Sequence, residues 1–146
     1  GIISQLYLTK LIFKQMVDRD KGGSIINIGS MYGKVSPDFS IYKDSGMGNS
    51  IEYGVTKAGM IQLTKYLAAI GGKNNIRCNS ISPGPFPRPG VLDELDWFEK
   101  ELNNKNMLGK VGRGDEIKGA VVLLASELGS YMTGEDIAVD GGWTAW

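Results

Sequence analysis

The sequence predicts an α/β fold, a small parallel sheet of three strands covered by helices on both faces. Three observations carry this expectation. Short runs containing β-branched residues, "SIINIGS", "NIRCNSIS" and "DIAVDGG", recur along the chain. Between them lie stretches whose apolar residues return at three- and four-residue spacing, as helices require. Strands that alternate with helices favour parallel pairing, because each crossover needs a helix to carry the chain back.

The opening segment "GIISQLYLTKLIFKQMVDR" sets Ile2, Ile3, Leu6, Leu11, Ile12, Met16 and Val17 at helical spacing, with Lys10, Lys14 and Arg19 between them. An amphipathic helix is expected there, ended by Gly22 and Gly23. No capping residue precedes it, and the first residue is Gly1 rather than methionine, so further chain is expected before it. "SIINIGS" reads as a strand covered on both faces, with Ser30 at its carboxyl end. Residues 31 to 49 carry Gly, Pro, Ser and Asp without a period and read as a long loop. The second helix is expected to start with Asn49 as its cap and Glu52 reaching back, as in a capping box, and to run to about Gly71.

After the second strand, "PGPFPRPG" stops the ladder, since its four prolines remove donors and fix the backbone. A charged helix is expected around Asp93 to Asn103. Another begins near Asp115, with Ile117, Ala120, Val121, Leu124 and Leu128 as its buried side. Three strands with long helices leave apolar surface uncovered, so more chain or a partner is expected to cover it.

Composition narrows the function. The 146 residues, 42% apolar and balanced at 16 basic against 16 acidic side chains, suit one soluble globular domain or part of a larger one. A net charge of zero leaves no electrostatic footprint for nucleic acid. No apolar run reaches the roughly 18 residues that a bilayer span needs, so no membrane partner is expected. One cysteine, Cys78, cannot close an internal disulfide, which fits a reducing, cytoplasmic setting. With no histidine a metal site is not expected, and any acid or base must be another kind of side chain.

One pair can supply that chemistry. Tyr53 and Lys57 lie four residues apart in "YGVTK", hence on one helix face, where a lysine ammonium favours the phenolate of its neighbour. Chance alone would give about 0.5 such pairs in a chain of this composition, and an ordinary solvated helix face explains the spacing too. Ser30 adds weight because it follows a buried strand, at the edge where open α/β sheets bind ligands. Taken alone, it suits a turn or a cap equally well. The loop opening at Pro83 and Gly84 should reach the same edge.

Together, Ser30 after "SIINIG", the YxxxK of Tyr53 to Lys57, "IRCNSISPG" and "YMTGEDIAVDGGW" resemble the short-chain dehydrogenase/reductase family, in that family's order. The resemblance spans the chain but covers only the carboxyl-terminal part of a family member. It implies a single partial domain over residues 1–146, the later part of a doubly wound Rossmann-like sheet, with the amino-terminal cofactor-binding half absent. It also implies an oxidoreductase using NAD or NADP to interconvert a carbonyl and a secondary alcohol. The alternative reading is a noncatalytic assembly or binding module on the same fold. By the resemblance Tyr53 is the general acid and base, Ser30 polarises the reacting oxygen, and Lys57 tunes the tyrosine and holds the nicotinamide ribose. Pro83, Gly84 and the backbone near Phe86 border the nicotinamide. A homo-oligomer, dimer or tetramer, is the expected assembly, with Gly54 and Gly59 at a subunit contact.

Two departures stand out. Arg88 occupies the position where the family usually has a threonine. The spacing from Ser30 to Tyr53 is longer than usual, and Tyr42, which falls at the usual distance, is followed four residues on by Gly46 rather than lysine, so it is rejected as the catalytic tyrosine. Residues 31–50 therefore read as an inserted substrate loop whose polar and aromatic groups suit a hydroxylated small molecule such as a sugar. "NIGSMYGKVSPDFSIY" is similar to oxidoreductases of flagellin-modification and surface-sugar pathways.

Overall fold

The computed structural model describes residues 1–146 apart from Pro89, Val91, Asp93 and Glu94. The sheet has strands β1 (Gly23–Ile28), β2 (Ile76–Pro83) and β3 (Asp136–Val139) in the order β1-β2-β3, all parallel. Helices α1 (Ile2–Arg19) and α2 (Ile51–Gly71) flank it with α3 (Asp96–Asn104) and α4 (Lys118–Ala125). The predicted α/β class and its three strands are those observed.

Strand parity shows how the helices are placed. Side chains of opposite parity along a strand point to opposite faces. On β1 the Ser24 hydroxyl donates to the Leu124 carbonyl of α4 at 2.8 Å, while the Asn27 amide donates to Thr64 of α2 at 2.9 Å. Hence α2 and α4 cover opposite faces. One core cluster, Leu67, Ala68 and Cys78 with Phe13, Ile25 and Leu63 against it, lies between the sheet and the first two helices. The Cys78 thiol is fully enclosed there. A second cluster, Met31, Tyr32, Ile41, Tyr42, Leu102 and Trp143, sits beyond the carboxyl ends of the strands.

Several expectations need correction. The central strand β2 is buried along most of its length, but β1 is only half-buried and Ile28 is exposed, since β1 pairs on one side alone among the described strands. Helix α1 ends at Asp20, which takes the left-handed conformation (φ 50°), ahead of the glycine pair. Its expected apolar stripe is largely open, with Ile3, Leu6, Leu11 and Ile12 exposed and only Thr9 fully buried. In α4, Leu124 is buried as expected, whereas Val121 is exposed, as is Leu128 in the short turn that follows the helix. The helix is shorter than its pattern because the Glu116 carboxylate binds Lys110 and the Arg113 amide, keeping the preceding turn outside it.

The start of α2 also differs. Ser50, not Asn49, occupies the cap position, and its side chain makes no capping bond. Asn49 instead donates its side-chain amide to the Tyr42 hydroxyl at 2.6 Å, a tertiary partner that outcompetes the local cap. Glu52 is held below its ordinary carboxylate range by its own backbone N–H and by the Ser50 hydroxyl. The segment expected to be a plain loop holds two short 3-10 turns, Met31–Gly33 and Phe39–Tyr42. The charged helix spans Asp96–Asn104, and the Asp93 end of its expected range lies outside the described residues.

Candidate active site

Parallel pairing brings the carboxyl ends of β1 and β2 to one edge, with Ile28 opposite Ile81 and the Gly29 N–H donating to the Ile81 carbonyl at 2.8 Å. Two chain segments leave the sheet there. After β1 the backbone turns through Met31–Gly33, and after β2 it continues as Gly84–Arg88. A cavity of about 750 Å³ opens between them. Ser30, Tyr53, Gly84, Phe86 and Arg88 line it together with Tyr42 and Asn49.

Ser30 is both things its sequence position allowed. It caps the 3-10 turn, its Oγ accepting the Tyr32 N–H at 3.2 Å, and it faces the cavity while only 5% exposed. A hydroxyl that accepts on one side keeps its own hydrogen to donate on another.

Tyr53 stands in the first turn of α2, 40% exposed, on the cavity wall. Lys57, one turn on, sends its ammonium to the Ile28 carbonyl at 2.8 Å, and the same Nζ lies 5.7 Å from the centre of the Tyr53 ring. The bond to Ile28 ties α2 to the end of β1. Lys57 and Pro83 are not among the residues that line the cavity; Pro83 is the last residue of β2, opposite Val139.

The turn after Ser30 is pressed onto α2. A β-carbon built on Gly33 would lie 2.8 Å from the Lys57 carbonyl carbon and 2.9 Å from the Ala58 nitrogen, so only glycine allows this approach. Gly54 and Gly59 serve similar contacts inside the chain. A β-carbon on the first would come within 3.2 Å of the Tyr32 carbonyl, and one on the second within 2.9 Å of the Ile2 side chain. The close approach predicted for these glycines is thus made by this chain's own turn and first helix.

Sequence reasoning set Tyr42 aside and did not single out Phe98 or Leu102, yet all three line the cavity. Tyr42 stacks on Phe98 with centroids 5.6 Å apart and planes at 28°. The four-residue spacing of Phe98 and Leu102 on α3 was the available signal. Arg113 pairs with Asp115 on the surface, away from the cavity.

A family model described as enoyl-(acyl carrier protein) reductase matches residues 2–144. The chain belongs to the short-chain dehydrogenase/reductase family. Among similar family members, 7alpha-hydroxysteroid dehydrogenase of Bacteroides fragilis is 38% identical over 95% of this chain and 50% of its own length. NADH-dependent L-xylulose reductase of Ambrosiozyma monospora is 35% identical over all of this chain and 53% of its own. Post-translational flagellin modification protein A of Campylobacter coli is 33% identical over 90% and 50%, so the likeness to that branch holds. A short-chain dehydrogenase from Leptospira borgpetersenii, solved with bound NAD+, superposes with a TM-score of 0.85 at 35% identity, over 94% of this chain and 50% of that one. The chain thus spans about half the length of these dehydrogenases and reductases.

Proposed function

We propose that this chain carries the proton-transfer half of an NAD(P)-dependent oxidoreductase that interconverts a carbonyl and a secondary alcohol on a hydroxylated, sugar-type substrate. One observation supports this above the others. Ser30 and Tyr53 line one cavity with Gly84 and Phe86, and Lys57, one helical turn from Tyr53, is anchored to the end of β1.

The reading assigns each side chain a step. In reduction, the Tyr53 hydroxyl gives its proton to the carbonyl oxygen as negative charge develops there, and in oxidation it takes the proton back. The Ser30 hydroxyl donates a hydrogen bond to the same oxygen, its lone pair already engaged by the Tyr32 N–H. Positive charge on Lys57 favours the phenolate that forms when Tyr53 releases its proton. The donor set fits a nicotinamide nucleotide as well. With one N–H of Lys57 on the Ile28 carbonyl, two more remain for ribose hydroxyls, and Pro83, Gly84 and Phe86 border the place for the ring. When bound, that cofactor supplies the hydride chemistry.

Cofactor binding gives a direct test. Titration of the intact protein with NADH and NADPH, followed by cofactor fluorescence, is expected to show saturable binding of at least one. Lys57→Met should weaken it about tenfold, the loss of a charge-assisted hydrogen bond. Absence of binding to both nucleotides would favour the noncatalytic module instead.

The same proposal includes a homo-oligomer. Ile3, Tyr7, Ile51 and Val55 form an exposed apolar surface where α1 meets the start of α2, at 79%, 67%, 83% and 64% exposure, larger than scattered surface residues explain. Light scattering on the intact protein should give a mass of two or four subunits. A stable monomer would remove this part of the reading.

A further inference from the structure

The proposed proton transfer leaves one group in the cavity without a task. Tyr42 lines the cavity from the second 3-10 turn, between Ser30 and Tyr53 in the sequence, and is only 7% exposed. Its ring is fixed between Phe39 at 6.2 Å and Phe98 at 5.6 Å. The turn that carries it is bound to α3 by ion pairs from Asp38 to Lys105 and from Lys43 to Glu101, the latter at 2.8 Å. Ile41, wholly buried, completes the attachment together with Leu102. This part of the loop is therefore a braced wall of the cavity, and Tyr42 is held in one orientation on it.

The direction of the Tyr42 hydrogen follows from its neighbours. A phenolic hydroxyl can accept a hydrogen bond and still donate its own hydrogen. Asn49 Nδ2 donates to it at 2.6 Å. Tyr32 lines the same cavity, and its own phenol is pushed above the ordinary value, first of all by burial. The Tyr42 oxygen accepts from Asn49, so that bond does not use the phenol's own hydrogen, which is left to point elsewhere. The open direction is the cavity that Tyr42 and Asn49 line.

We propose that Tyr42 is a specificity-determining donor, whose hydroxyl binds an acceptor oxygen of the substrate remote from the reacting carbonyl and so selects hydroxylated ketones over plain ones. The proposal rests on the oxidoreductase reading and deepens it. Tyr42 takes no part in proton transfer. It orients the substrate, and a ketone with no second oxygen leaves its hydroxyl unpaired, which a largely buried donor tolerates poorly.

The test compares two five-carbon probes in the intact protein, L-xylulose and 2-pentanone, with NADH and with NADPH. Tyr42→Phe is expected to lower kcat/KM for L-xylulose about tenfold, mainly through KM, and to leave 2-pentanone unchanged. Asn49→Asp should act in the same direction, because a carboxylate takes the Tyr42 hydrogen away from the cavity. Equal losses on both probes, or no loss on either, would overturn the proposal, as a general disturbance of the wall cannot tell the two ketones apart. Binding provides the second readout. By isothermal titration, the Tyr53→Phe protein is expected to bind L-xylulose, and adding Tyr42→Phe should weaken that binding about tenfold. No binding of L-xylulose by the Tyr53→Phe protein also counts against Tyr42. Turnover retained by Tyr53→Phe sinks the assignment of Tyr53 as acid and base but leaves this comparison intact.

Discussion

Replacing Tyr53 by phenylalanine in the intact protein is expected to lower kcat by roughly 10²–10⁴-fold, the range that a positioned acid or base contributes. Among the described residues, no other group in the cavity is equipped to take over. Ser30 has too high an intrinsic pKa to act as the acid at neutral pH, and the chain has no histidine. Tyr32 and Tyr42 also line the cavity, but neither has a lysine one turn on. Tyr53 is 40% exposed, so losing its hydroxyl opens no cavity in the core. The thermal unfolding midpoint should therefore stay within a degree or two of the parent. Steady-state kinetics on a carbonyl substrate, run beside a melting curve, checks both halves. Turnover near the parental rate would end the assignment of Tyr53.

The second large effect is expected at a residue that touches no substrate. Gly33→Val should destabilise the protein by about 1–3 kcal/mol, as overpacking does, and cut kcat about 100-fold through misplacement of the reacting groups. Both follow from the same contact. A side chain at Gly33 must push the turn away from the backbone of Lys57 and Ala58, where a β-carbon would sit 2.8 to 2.9 Å from its neighbours. That separates Ser30, which begins the turn, from the helix face that carries Tyr53 and Lys57. Gly114, with nothing within 4 Å of a built β-carbon, offers the control, since Gly114→Ala should leave stability and rate unchanged. Urea unfolding and kinetics of the two variants give the comparison. Parental stability and rate in Gly33→Val would show that the contact is not needed.

Much of this arrangement was legible beforehand where local and long-range preferences agree. The run around Cys78 reads as a strand and is one, lying between two neighbours in the sheet. Helix α2 runs to Gly71 as its pattern implies, and Tyr53 and Lys57 share a face because helical geometry leaves no other choice. Ser30 was placed at a sheet edge from strand direction alone. What escaped the sequence depends on partners distant along the chain. Asn49 has every local reason to cap a helix, but a phenol seven residues back claims its amide. The apolar stripe of α1 marks a surface with a taste for contact, yet periodicity does not name what covers it, and in this chain much of it is open. Tyr42 was judged only as a catalytic tyrosine, since its stack on Phe98, 56 residues on, leaves no trace in spacing.

The enclosed Cys78 has a practical consequence. It is the sole thiol of the 146 residues, fully shielded on the middle strand, and burial pushes its pKa up to about 11. A sulfhydryl held this way is inert toward alkylating reagents until the surrounding layers part. The pace at which iodoacetamide modifies it therefore serves as a built-in clock for breathing of the sheet, read by mass spectrometry without any engineered label.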